Sequence, residues 1–98
     1  MTNDTGISHC VLEELTALAK RHGLEQVLLF GSRARGDYRA TSDIDLAVRG
    51  GDVARFALDV EEETSTLLKF DIVDLGGPVQ LELLQSIQHE GRVLYEKI

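Results

Sequence analysis

The sequence is short of sulfur, rings and positive charge. Cys10 is its one cysteine, so an internal disulfide framework is excluded, and a lone free thiol fits a reducing cytoplasm. There is no tryptophan, and aromatic residues make up 5% of the chain. Hydrophobic residues still reach 43%, an ordinary globular composition that excludes disorder. No apolar run is long: Val27 to Phe30 is the longest, far too short to cross a bilayer. The polar opening from Met1 to Ser8 lacks a basic region followed by an apolar stretch, so no secretion signal is expected. Repeats, low-complexity tracts and linkers are absent. The 98 residues are expected to form a single domain, 1–98, with a core large enough for one sheet and a few helices. Ten basic residues against 17 acidic ones give a net charge of −7. Such a chain repels nucleic-acid phosphates as a whole, and neither direct nucleic-acid binding nor a membrane partner is expected.

Against this acidic background, Arg33, Arg35 and Arg39 crowd into the nine residues that begin at Gly31. A local basic cluster on an acidic protein suits a small phosphate ligand better than a duplex. The surrounding pattern is a mixed α/β sheet with helices packed against it. Residues 8–22 place Val11, Leu12, Leu15, Leu18 and Ala19 at helical spacing, capped by Ser8 and stopped by Gly23. Gln26 to Phe30 reads as a buried strand. Residues 31–42 read as a loop with a helical turn after Ser32. In Asp43 to Arg49, Ile44, Leu46 and Val48 alternate with Asp43, Asp45 and Ala47, the period of a strand with one apolar face. Asp52 caps a helix expected to carry Val53, Phe56, Ala57, Val60, Leu67 and Leu68 on one face. A third strand follows from Phe70 to Leu75. Pro78 suits the first turn of a last helix that packs through Leu81, Leu84 and Ile87 and stops at Gly91. Arg92 to Glu96 makes a fourth strand.

The chemistry sits where the first two strands meet. Side chains at i and i+2 of a strand share a face, so Asp43 and Asp45 project together, about 7 Å apart along the strand. Carboxylates that close repel unless a cation lies between them. A hard oxygen site with open positions suits Mg²⁺, which takes one or two protein carboxylates together with substrate phosphates. Ten residues before this pair lies Gly31-Ser32. Gly31 lets the backbone approach a phosphate without a Cβ, and Ser32 adds a hydroxyl donor. Ser42 reads mainly as a loop residue that could support Asp43. A third acid for a second metal would come from Phe70-Asp71-Ile72-Val73-Asp74-Leu75. Asp71 and Asp74 face opposite sides of that strand, and periodicity does not choose between them.

Gly31-Ser32, ten residues, then Asp43-x-Asp45 resembles the signature of the DNA polymerase β nucleotidyltransferase superfamily. Together with Phe70 to Asp74 and the closing Glu90-Gly91-Arg92-Val93-Leu94-Tyr95, it is similar to the minimal members encoded beside HEPN-domain proteins. The resemblance implies a polymerase β-like fold and binding of the triphosphate by Gly31 and Ser32. It also implies two Mg²⁺ ions held by Asp43 and Asp45, with Asp71 as the third acid. It further implies an antitoxin that transfers AMP from ATP to a tyrosine of a HEPN toxin and forms a hetero-oligomer with it. Arg33, Arg35 or Arg39 would assist the phosphates. Two other readings stand beside this one: neutralisation of the partner by contact alone, and nucleotide transfer to a small molecule. The remaining reactive residues read as structural. His9, His22 and His89 lack metal spacing, Cys10 is expected to pack beside Val11, and Glu61, Glu62 and Glu63 form a solvated acidic face.

Overall fold

A computed structural model describes residues 5–97. The element order is α1 (His9–Arg21), β1 (Gln26–Phe30), α2 (Ser32–Arg35), β2 (Ile44–Arg49), α3 (Val53–Glu63), β3 (Phe70–Asp74), α4 (Leu81–Glu90) and β4 (Arg92–Glu96). The strands form one sheet in the order β3-β2-β1-β4. β1 runs antiparallel to both β2 and β4, and β2 runs parallel to β3, so the sheet is mixed.

Alternation along the strands divides the apolar residues between two faces. Val27, Leu29, Ile44, Leu46 and Val48 bury against Leu15, Leu18 of α1 and Phe56, Val60 of α3. Phe30 and Ala47 bury against Ile87 of α4 on the other face. The central strand β2 is therefore covered on both sides, where the sequence pattern indicates one apolar face. Ala47, the small residue on the second face, is what lets α4 approach.

The two long caps form as expected. Val11 N–H donates to Ser8 Oγ at 3.2 Å, and Arg55 N–H donates to Asp52 Oδ1 at 3.1 Å. Two boundaries differ from the sequence reading. α3 ends at Glu63, so Leu67 leaves the helix and stands fully exposed. The chain turns extended at Thr64, and Glu14 of α1 then holds Ser65 by both its N–H (2.8 Å) and its hydroxyl (2.7 Å). Three successive glutamates at a helix C-terminus also oppose the backbone dipole there. α4 begins at Leu81, leaving Pro78 in the irregular segment before it. Its packing falls to Ile87 and Leu83, while Leu81 is exposed. Cys10 is exposed as well, and does not pack as a small core residue. No helix among the described residues is long and apolar enough to cross a membrane.

Candidate active site

β1 ends at Phe30, which pairs with Asp45 of β2, and Asp45 in turn pairs with Asp71 of β3. Partners directly across neighbouring strands share a face. The register thus sets Asp45 and Asp71 side by side on the α4 side of the sheet, just past the point where the apolar layer ends. Asp74 pairs with Val48 at the far end of β3, and its Oδ1 accepts from Gly76 N–H at 2.8 Å as part of the following turn. It does not reach the other acids. Asp43 lies one residue before β2 and is exposed.

The acids act on one another. Burial raises the pKa of the Asp45 carboxyl, and the charges of Asp71 and Asp43 raise it further, against the opposing pull of Arg35. Such a carboxylate gains from a cation, and the carboxylates of Asp43, Asp45 and Asp71 offer the hard oxygen donors that fit Mg²⁺. Among the described residues, no group of three or more His, Cys, Asp or Glu could hold a metal ion by itself.

Gly31 lies against this cluster. It adopts φ +77° and ψ −158°, and a Cβ there would overlap the Oδ2 of Asp45. Only a glycine brings the turn into contact with the acid. Ala34 and Arg35 N–H groups then return to Gly31 O at 3.1 Å each, closing the short helix α2.

The three arginines have different fates. Arg33 is buried (1% exposed), and its guanidinium donates to the carbonyls of Thr5 (2.9 Å), Ser42 (3.1 Å), Ala40 (3.2 Å) and Arg39 (3.4 Å). It also stands over the ring of Tyr38, 4.9 Å from the centroid. These contacts turn four of the five guanidinium N–H groups to backbone carbonyls and brace residues 36–42 from inside the molecule, so the expected phosphate role does not fall to the buried Arg33. Arg35 is exposed at the site and pairs with Asp37 and Glu90. Arg39 is exposed on the loop. Ser42 serves that loop too: its Oγ accepts from Arg39 N–H at 2.8 Å.

One residue that the sequence reading named only within its closing segment belongs to the site. Glu90, the last residue of α4, accepts from Gly31 N–H at 3.0 Å and from Arg35 Nη1 at 3.1 and 3.2 Å. Fifty-nine positions separate it from Gly31, and its one local signal is a place beside the helix stop Gly91. Asp43 also lines an open groove of about 740 Å³, together with Thr41 and residues 65–69.

Two of the three histidines pair with acids away from the site. His22 pairs with Asp59 at 2.7 Å, joining α1 to α3, and His9 pairs with Glu13 on the surface.

A model of the family described as polymerase beta, nucleotidyltransferase matches residues 13–98. A protein of Methanocaldococcus jannaschii, nominally a protein adenylyltransferase, is 35% identical over 85 residues, 76% of this chain and 82% of its own. A nominal minimal nucleotidyltransferase of known structure is 33% identical, with a TM-score of 0.64 over 83% of this chain and 86% of its own. A crystal structure of a toxin-antitoxin with AMP-PNP holds a chain 26% identical, with a TM-score of 0.67 over 88% of this chain and 73% of its own. With the family model running from Glu13 through the end of the sheet, this chain belongs to the polymerase β nucleotidyltransferases and is an enzyme of that class.

Proposed function

We propose that this protein is an antitoxin that transfers AMP from ATP to a tyrosine hydroxyl of a partner HEPN toxin. The observation that carries the reading is the register: it sets Asp45 against the glycine turn at the end of β1, with Asp71 beside Asp45 on the next strand. The similarity to a nominal protein adenylyltransferase and to a toxin-antitoxin chain crystallised with AMP-PNP supports the reaction and the type of partner.

The triphosphate lies along the Gly31-Ser32 turn, where the Gly31 N–H and the Ser32 hydroxyl donate to its oxygens and the Arg35 guanidinium faces its charge. Asp43 and Asp45 would hold magnesium, with Asp71 completing the set for a second ion. The metal, when bound, offsets charge on the attacking and leaving oxygens. The acceptor hydroxyl enters from the groove beside Asp43, and Asp71 orients it and takes its proton. Its oxygen bonds to the α-phosphorus as the bond from that phosphorus to the bridging oxygen breaks, and pyrophosphate leaves.

Intact-mass analysis of the partner after incubation with the protein, ATP and Mg²⁺ tests this. A gain of one or more AMP on a tyrosine is expected. An unmodified partner that is nonetheless inhibited in proportion to added protein, without ATP, would overturn the catalytic reading and favour neutralisation by contact.

A further inference from the structure

The Gly31 amide and the Arg35 guanidinium, the donors assigned above to the triphosphate, are both held by the carboxylate of Glu90. The side chain is well shielded, 16% exposed, so the contact is a seated one and not a passing surface pair. Its location is unfavourable in two respects. A carboxylate on the last residue of a helix faces the negative end of the backbone dipole. It also adds a fourth negative charge next to Asp43, Asp45 and Asp71, and Asp45 feels it. Glu90 offsets these costs with the charge-assisted bonds it draws from Gly31 and Arg35, and those are bonds an anionic oxygen of a nucleotide would draw in its place.

We propose that Glu90 is a tethered competitor of the triphosphate: it occupies the Gly31 amide and Arg35 until the nucleotide displaces it, and so sets the affinity for ATP. The proposal rests on the nucleotide reading of the previous section. A protein whose competent state is only partly populated binds its ligand more weakly by that fraction. Removing the Glu90 charge while keeping its shape raises the fraction. Loss of one charge-assisted pairing corresponds to roughly a tenfold tightening. The effect is confined to ligands that carry the outer phosphates, because the α-phosphate and the nucleoside do not contest these donors.

The test is calorimetric titration of wild-type protein, E90Q and E90D with Mg²⁺-ATP, inorganic tripolyphosphate and AMP, alongside thermal unfolding. E90Q is expected to bind Mg²⁺-ATP and tripolyphosphate about tenfold tighter than wild type and AMP unchanged. E90D, which keeps the charge but withdraws it by one methylene, is expected to fall between the two and serves if E90Q does not fold. In wild-type protein, tripolyphosphate should move the Gly31 amide resonance, and in E90Q that resonance should already be displaced before ligand is added. Equal or weaker binding of ATP by a folded E90Q, with wild type binding normally, would overturn the competition and make Glu90 a positioning residue for Arg35. No binding of ATP or tripolyphosphate by any of the folded proteins would overturn the nucleotide reading itself, and this inference with it.

Discussion

Replacing Gly31 with alanine separates the conformational demand of the turn from its contact with the acid. The backbone there, φ +77° and ψ −158°, lies in a region that is nearly exclusive to glycine. Holding an L-residue there costs about 1–3 kcal/mol. The added methyl also meets Asp45: beyond overlapping Oδ2, it stands 3.0 Å from Cγ and 3.3 Å from Cβ. Because the crowding extends down the stem, rotating the carboxylate tip does not relieve it, and Asp45 must swing away from the turn. Gly23 is the control. It too has a positive φ, +68°, but nothing lies within 4 Å of a Cβ placed on it. G23A should therefore lose about 1 kcal/mol of stability from backbone strain alone. In a chain this size each kcal/mol moves Tm by roughly 4–8 °C. The assay is ATP-dependent release of pyrophosphate, run at a temperature where both variants are folded, with stability read from urea unfolding. G31A should lose activity by at least about a hundredfold, the scale of an ångström-sized misplacement of a catalytic group. G23A should stay within about twofold of wild type. Transfer by G31A within a few-fold of wild type, or an equal loss in G23A, would refute the argument that glycine is needed at this position to seat the acid.

Three further outcomes are expected. D45N should abolish transfer while leaving the protein folded, and in the absence of divalent ions its Tm should rise slightly, because burial first and then the charges of Asp71 and Asp43 disfavour the carboxylate it removes. R33M should lose about 3 kcal/mol in urea unfolding, because it strips four loop carbonyls of their donor, and R33K should recover only part of that since an ammonium lacks the planar fork. The bonds from Ser65, its backbone N–H first and then its hydroxyl, hold the Glu14 carboxyl below its ordinary pKa. A lowered folded pKa gives stability that is present above the ordinary carboxylate range and lost as pH falls through the lowered value. Exchange protection of the Ser65 amide should fall across that acidic window in wild type and show no such step in E14Q.

Much of the fold was legible because its elements carry their own punctuation. Ser8 and Asp52 cap α1 and α3, Gly23 and Gly91 follow α1 and α4, and strict alternation marks β2. The end of α3 was not legible, because no glycine or proline interrupts residues 61–69 and the stop is made by Glu14, a residue from another helix. Pro78 misled for a related reason: a proline tolerated in a first turn is equally at home just before one. In the candidate site, Asp43, Asp45 and Gly31 were readable from spacing within one short segment. Strand periodicity left Asp71 and Asp74 open, and the resemblance alone pointed to Asp71; that Asp71 lies beside Asp45 follows from the parallel register with β2, which no single strand contains. Arg33 and Arg35 look alike in sequence, and their separation into buried brace and exposed site residue is decided by which side of a four-residue helix each occupies. Glu90 was named only as part of the closing segment, and its role was not readable because its partners lie far away in the chain.

Arg33 has one more implication. Its reach to the Thr5 carbonyl makes the segment ahead of α1 a strut for a loop that lies some thirty positions downstream. A version of the protein shortened to begin at Ser8 would keep Asp43, Asp45, Asp71, the glycine turn and Arg35, yet would leave that guanidinium with a further open donor inside the molecule. Inactivity in such a truncated form would then report lost scaffolding, and amino-terminal tags placed for convenience deserve the same suspicion as a point mutation in the loop itself.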